Sequence, residues 1–290
     1  MLFHRVITAV ILIPLVVWAV FKMPVDYFSL VFALLMLVGA WEWANLIQLN
    51  SIIKRILFLI VLMLPMLFVQ FWTQILEIAA QTTEKHTIRD YSGLIEWLVV
   101  PPVLFWLLMM ILIRKVPEHM LSLQLKPFQK VFLGIFLLNA AWMCFTRLKI
   151  LHGAEMTLYF LILIWSADIA AYFVGKKYGK TKLAPEISPG KTIAGMYGAL
   201  ASAVICAIAL GLIFQFNIIF IMDFILLSVL TVLISIYGDL FFSLAKRQRG
   251  VKDSGVLFPG HGGVLDRLDS LIAAAPFFYA GLYLIYRTIE

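Results

Sequence analysis

The residues best able to do chemistry are crowded into one polar stretch, Gly238–Asp269, which reads GDLFFSLAKRQRGVKDSGVLFPGHGGVLDRLD. It holds Asp239, Asp253, Asp266 and Asp269, the bases Lys246, Arg247, Arg249, Lys252 and Arg267, His261 and six glycines. Only 13% of the chain is charged, so this is a concentration of charge. Asp239, Ser243 and Lys246 stand at i, i+4 and i+7. On a continuous helix they share one face. Pro259, Gly260, Gly262 and Gly263 predict a tight loop around His261, and Asp266 and Asp269 return at i, i+3 with Arg267 between them. Hard oxygen donors among lysines and arginines suit Mg²⁺ and phosphates. Zinc is disfavoured, because neither HExxH nor CxxC occurs. His261 has no second histidine near it and reads as a hydrogen-bonding loop residue. The competing reading is a salt-bridged connector. It is weakened by the position of several of these groups at the ends of apolar runs.

Two upstream segments could join this chemistry. Asp168 lies inside an apolar run, in WSADIAAYFVGKKYGK. A carboxylate at membrane depth costs at least ~2.5 kcal/mol on insertion scales, which points to a functional role or to a hydrogen bond between helices. The segment Lys182–Gly195, KLAPEISPGKTIAG, is broken by Pro185, Pro189 and Gly190, which predict an ordered turn. Lys191 and Thr192 then open the next apolar run, where a helix N-terminus plus an ammonium makes an anion site. GKT is not a Walker A sequence here, since Pro185 stands where its first glycine belongs.

The elements that must carry these residues are membrane helices. The chain is 63% hydrophobic with a mean hydropathy of +1.00. Runs long enough to cross a bilayer recur along it, without the alternation of a β-barrel. The expected fold is all-α, a polytopic helical bundle of nine spans. These lie near Val6–Phe21, Tyr27–Leu46, Ile56–Trp72, Trp97–Ile113, Val131–Thr146, Tyr159–Val174, Ile193–Phe216, Ile218–Leu240 and Leu271–Ile289. The organisation expected is one integral domain, with N-terminal spans over 1–150 and a catalytic region with two polar loops over 151–290. The first run reads as an uncleaved helix, and the polar segment Gln81–Glu96 as a solvated outer connector. Cys144 and Cys206 fall in apolar runs and report nothing about redox state. No aromatic-plus-basic stretch suggests nucleic acid. Seventeen of the 23 Lys and Arg fall in alternate connections on the N-terminal side. The positive-inside rule puts that side, and both basic loops, in the cytoplasm, with the C-terminus outside.

Ser243–Asp269 resembles the signature of bacterial phosphatidate cytidylyltransferases, also called CDP-diglyceride synthases. It has the form S-x-x-K-R-x4-K-D-x-G-x2-(apolar)-P-x-H-G-G-x2-D-R-x-D. WSADIAAYFVGKKYGK, KLAPEISPGKT and the GDL before the signature resemble the same family, and the likeness covers roughly residues 160–290. Ala245 departs from a usually larger apolar residue, and Phe242 from a frequent glutamate. The resemblance implies an inner-membrane enzyme of phospholipid biosynthesis that joins CTP and phosphatidic acid, releasing pyrophosphate. It implies Mg²⁺ held by Asp239 and Asp266, and leaves open a second, monovalent cation. Phosphate contacts would come from Ser188, Lys191, Lys246, Arg247 and Arg267. Thr192, Ser243, Lys252 and His261 are further substrate-binding candidates, and Asp168 would orient the metal shell or a lysine. The family implies a homodimer.

The residues suit that reaction. A phosphomonoester has a second pKa near ~6 and is mostly dianionic at neutral pH, so the nucleophile needs no general base. The obstacle is repulsion between two polyanions, which cations relieve. Two other readings compete. A CTP-dependent lipid kinase would release CDP. An ion-coupled transporter would suit Asp168 and broken helices, but no internal repeat is visible.

Overall fold

The computed structural model describes residues 2–83, 85–257 and 262–287. His261, with Pro259 and Gly260 beside it, lies outside the described residues. Ten α-helices and one small hairpin follow in order: α1 (Leu2–Lys22), α2 (Val25–Leu46), α3 (Ile52–Gln70), α4 (Trp72–Thr83), a 3₁₀ stretch (His86–Val99), α5 (Val100–Lys115), α6 (Pro117–Ser122), α7 (Pro127–Tyr178), β1 (Lys182–Ala184), β2 (Ser188–Thr192), α8 (Ile193–Ile213), α9 (Ile218–Arg249) and α10 (Leu265–Arg287). The protein is an all-α polytopic membrane protein. Helices satisfy their backbone groups internally, as the bilayer core demands. Their outer flanks carry exposed apolar side chains such as Ile53, Leu212, Ile213 and Ile218.

Seven described helical segments are long and apolar enough to cross a membrane, against the nine spans expected. The expected fifth and sixth spans lie on either side of a break within α7, which is 52 residues long in all. It is broken only at Gly153, whose φ of 80° is one that side-chain-bearing residues rarely adopt. The first expected span falls on α1, of which Leu12–Lys22 counts as a shorter apolar helix. The segment Gln81–Glu96 is not a plain connector either. Its last residue, Glu96, is buried and meets Arg147 and the Tyr279 hydroxyl. Lys149, counted from sequence as a loop charge, lies inside the bundle. Its ammonium donates to the Ala19 and Met23 carbonyls at the end of α1.

α7 is the mast of the bundle, packing against α1, α2, α3, α8 and α10. Its start is fixed by Pro127 at the first turn and by a reciprocal cap between Lys126 and Gln129. α9 and α10 pack against one another and against α7. Between α2, α5 and α9 the core is aromatic, with Trp43, Trp106, Phe241 and Phe242 in mutual contact. Phe242 therefore belongs to the core. α9 starts on the Asn217 side-chain cap and stops at Gly250 in the left-handed region. It thus runs unbroken through Asp239, Ser243 and Lys246, bringing all three to one face.

Candidate active site

The site is assembled where α9, the hairpin, α10 and α2 meet. Residues Ser188–Thr192 form β2, which pairs with β1 in an antiparallel hairpin. The hairpin carries Lys191 to α9. The Lys191 ammonium lies 2.8 Å from Asp239 Oδ2 and donates to the Ile236 carbonyl at 2.9 Å. Ser243, one turn on, donates to Asp239 Oδ1 at 3.2 Å. Thr192 is buried and its hydroxyl caps α8, accepting from Gly195 N at 3.0 Å. The anion-binding end foreseen for α8 is thus partly satisfied from within.

A second pair lies two turns further along α9. The Lys246 ammonium donates to Asp266 Oδ1 at 2.7 Å. The other oxygen of Asp266 accepts from Ser254 N at 2.8 Å and Gly263 N at 3.0 Å. Both partners are nearly inaccessible, at 11% and 8% side-chain exposure. A buried pair needs further hydrogen bonds to offset its desolvation, and the two backbone N–H groups supply them here. Asp266 thus pins both ends of the glycine-rich loop to α9.

A third carboxylate completes that loop, and the reading from sequence missed it. Glu42 comes from α2 and is buried. It accepts from Ser254 Oγ at 2.9 Å, Val264 N at 2.9 Å and Leu265 N at 2.8 Å. It caps the start of α10, where the first N–H groups lack partners and negative charge is favoured. A Cβ at Gly255 or Gly263 would run into this carboxylate, so both glycines are required by its close approach. The signal was available: Glu42 is an acid inside an apolar run, as Asp168 is.

The remaining candidates are spread around this centre. Asp168 is exposed and interacts electrostatically with Asp239, Lys191 and Arg267. Among the described residues it makes no hydrogen bond, so the helix-to-helix bond weighed against a functional role is not formed. Asp269 is buried and interacts with Asp239, Lys246 and Lys191. Arg247 donates to the Ile187 carbonyl at 3.2 Å and ties α9 to the hairpin beside Ser188. Lys252 is exposed in the loop after α9, and no contact among the described residues brings it to the carboxylates. Three or more His, Cys, Asp or Glu do not converge into a metal cage anywhere among the described residues.

The sequence profile of the cytidylyltransferase family matches residues 3–285. The chain belongs to the cytidylyltransferase family. It is similar to a Haemophilus influenzae protein named phosphatidate cytidylyltransferase, at 36% identity over 96% of this chain and 97% of that one. A Pseudomonas aeruginosa protein of the same name is 34% identical over 98% of this chain and 97% of its own. One from Bacillus subtilis is 44% identical over 44% of this chain and 47% of its own. For a cytidylyltransferase, two carboxylates each paired with a lysine at one end of a membrane bundle form a chemically apt centre. They offer hard oxygen ligands and mobile positive charge to a nucleoside triphosphate.

Proposed function

We propose that this cytidylyltransferase joins CTP to a phosphatidate lipid, giving CDP-diacylglycerol and pyrophosphate. The observation that carries the reading is the two pairs Asp239–Lys191 and Asp266–Lys246, whose α9 members stand two turns apart on one face of that helix. The full-length relatives named phosphatidate cytidylyltransferase support the lipid acceptor. A phosphate oxygen of the lipid attacks the α-phosphorus of CTP. The new O–P bond forms as the bond to the β-phosphate oxygen breaks, and that electron pair leaves with pyrophosphate. No proton has to be removed from the dianionic nucleophile.

The residues present fit Mg²⁺. Asp239 has two of its roughly four acceptor positions taken and Asp266 three, by the contacts above. One or two carboxylates are what Mg²⁺ ordinarily takes from a protein, the rest being water and phosphate oxygens. Asp239 and Asp266 would hold the ion, which supplies charge neutralisation on the triphosphate. Lys191 and Lys246 swing from their carboxylates to the phosphates and offset charge on the α-phosphate and the leaving group. Arg267, Arg247 and Ser188 would bind the outer phosphates. Asp168 orients Lys191 and Arg267. Glu42 and Asp266 hold the loop and the start of α10 in register. Catalysis on this account is positioning plus electrostatics.

The distribution of Lys and Arg supports a cytoplasmic N-terminus and site in a bacterial inner membrane, with the C-terminus outside. The homodimer belongs to the same proposal and rests on the family resemblance. The test uses CTP labelled at either its α- or its γ-phosphate. Label reaching the lipid from the α-position, with pyrophosphate released in equal amount, is the expected result. Label reaching it from the γ-position, with CDP released, makes the protein a lipid kinase and overturns the proposal.

A further inference from the structure

A cavity lies behind α9. It has a volume of about 710 Å³ and is walled by α2, α5, α7 and α9. That size is ordinary for a small-molecule site. Phe241, Leu244, Ala245 and Gln248 face it from α9. By helical geometry these lie on the side of α9 opposite Asp239, Ser243 and Lys246. The helix itself therefore separates the cavity from the carboxylates, and the Trp43–Phe242 and Trp106–Phe242 contacts fill the gap beside it.

Phe105, Phe136 and Phe241 line the cavity from within α5, α7 and α9, while Lys130 and Arg249 line it at the end formed by the start of α7 and the end of α9. That end is on the carboxylate side of the bundle, since Trp43 donates to the Lys130 carbonyl at 3.0 Å and its neighbour Glu42 caps α10. Among the described residues neither Lys130 nor Arg249 has an ion-pair partner. Phe128 and Phe132 stand beside the mouth, 68% and 67% exposed, where interfacial aromatics meet headgroups.

We propose that this cavity binds one anionic phospholipid of the leaflet on the carboxylate side, as a non-reacting lipid. An acyl chain fills the aromatic-lined depth and the phosphate sits between Lys130 and Arg249. Charge complementarity selects the occupant: a basic mouth favours anionic headgroups, and the apolar depth requires a chain. The bound lipid packs against α9 from behind and braces the turns that carry Asp239 and Lys246.

The test is lipid binding by the full chain, stripped of lipid in detergent and titrated with phosphatidylglycerol or phosphatidylethanolamine. Bound lipid is counted by native mass spectrometry. Tight retention of one phosphatidylglycerol over phosphatidylethanolamine is expected. The Lys130→Gln, Arg249→Gln double variant should bind it about tenfold or more weakly. Ala245→Trp, which fills the cavity, should abolish binding while the KM for phosphatidate stays at the wild-type value. Equal retention of the two lipids, or undiminished binding in Ala245→Trp, overturns the proposal. So does a raised KM for phosphatidate in Ala245→Trp, which would make the cavity the substrate's path. If Ala245→Trp does not fold, the double variant on the rim decides alone.

Discussion

Replacing Glu42 with alanine should disable an enzyme whose catalytic residues are all untouched. Glu42 accepts Val264 N, Leu265 N and Ser254 Oγ from a buried position. In Glu42→Ala the Ser254 hydroxyl can turn elsewhere, but the two backbone N–H groups cannot. Each buried donor left without a partner costs about 1–3 kcal/mol, so the pair costs roughly 2–6 kcal/mol. Loss of negative charge at the start of α10 adds about 0.3–1 kcal/mol. The cost falls on the loop and first turn that carry Asp266. At 1.36 kcal/mol per tenfold, even the lower half of that range shifts the loop from its competent geometry by about a hundredfold. The expected result is a fall in kcat/KM of roughly 10²-fold, with a shifted Mg²⁺ requirement and little change in detergent-solubilised yield. Glu42→Gln should be intermediate, because it keeps one acceptor oxygen but turns an amide N–H₂ towards a donor. Turnover and the Mg²⁺ concentration at half-maximal rate are the assays. Wild-type turnover in Glu42→Ala would show that the loop is held without this carboxylate and refute the reasoning.

Other perturbations follow from the same contacts. Gly263→Ala forces a methyl group into the Glu42 carboxylate, and should reproduce the Glu42→Ala phenotype in turnover and Mg²⁺ response; near-normal kinetics would deny the close approach. Lys191→Gln removes the ammonium beside Asp239 and should lower kcat/KM by roughly 10²–10³-fold, the usual scale for one electrostatic stabiliser. A rise in the KM for CTP should accompany it, and unchanged CTP kinetics would leave Lys191 as a structural tie. Asp168→Asn should slow turnover without lowering the melting temperature, since no hydrogen bond among the described residues is lost. An unaltered rate would remove Asp168 from the site.

Much of this centre was legible in the chain because it is local. The i, i+4, i+7 spacing of Asp239, Ser243 and Lys246 needs only a helix that continues, and α9 does. Pro185, Pro189 and Gly190 announced a break, and the break is a hairpin. Pairings between distant segments were not legible. Nothing in SPGKT says that Lys191 meets Asp239 rather than Asp266. Glu42 stands 222 residues before Val264, and no spacing rule connects them. The weak point between the fifth and sixth apolar runs was legible too: it marks the break at Gly153, where the two helices within Pro127–Tyr178 meet. The burial of Lys149 was not legible either, because the carbonyls it satisfies at the end of α1 are 126 and 130 residues away.

The central claim is that the paired carboxylates and lysines of α9, the hairpin and α10 carry cytidylyl transfer. Its most direct test is pyrophosphate release by Asp239→Asn in lipid nanodiscs, with CTP, phosphatidate and saturating Mg²⁺, beside wild type. The account predicts a loss of about 10²-fold or more in kcat, with the melting temperature preserved because the asparagine still accepts from Ser243. A folded Asp239→Asn protein that releases pyrophosphate at the wild-type rate would contradict it.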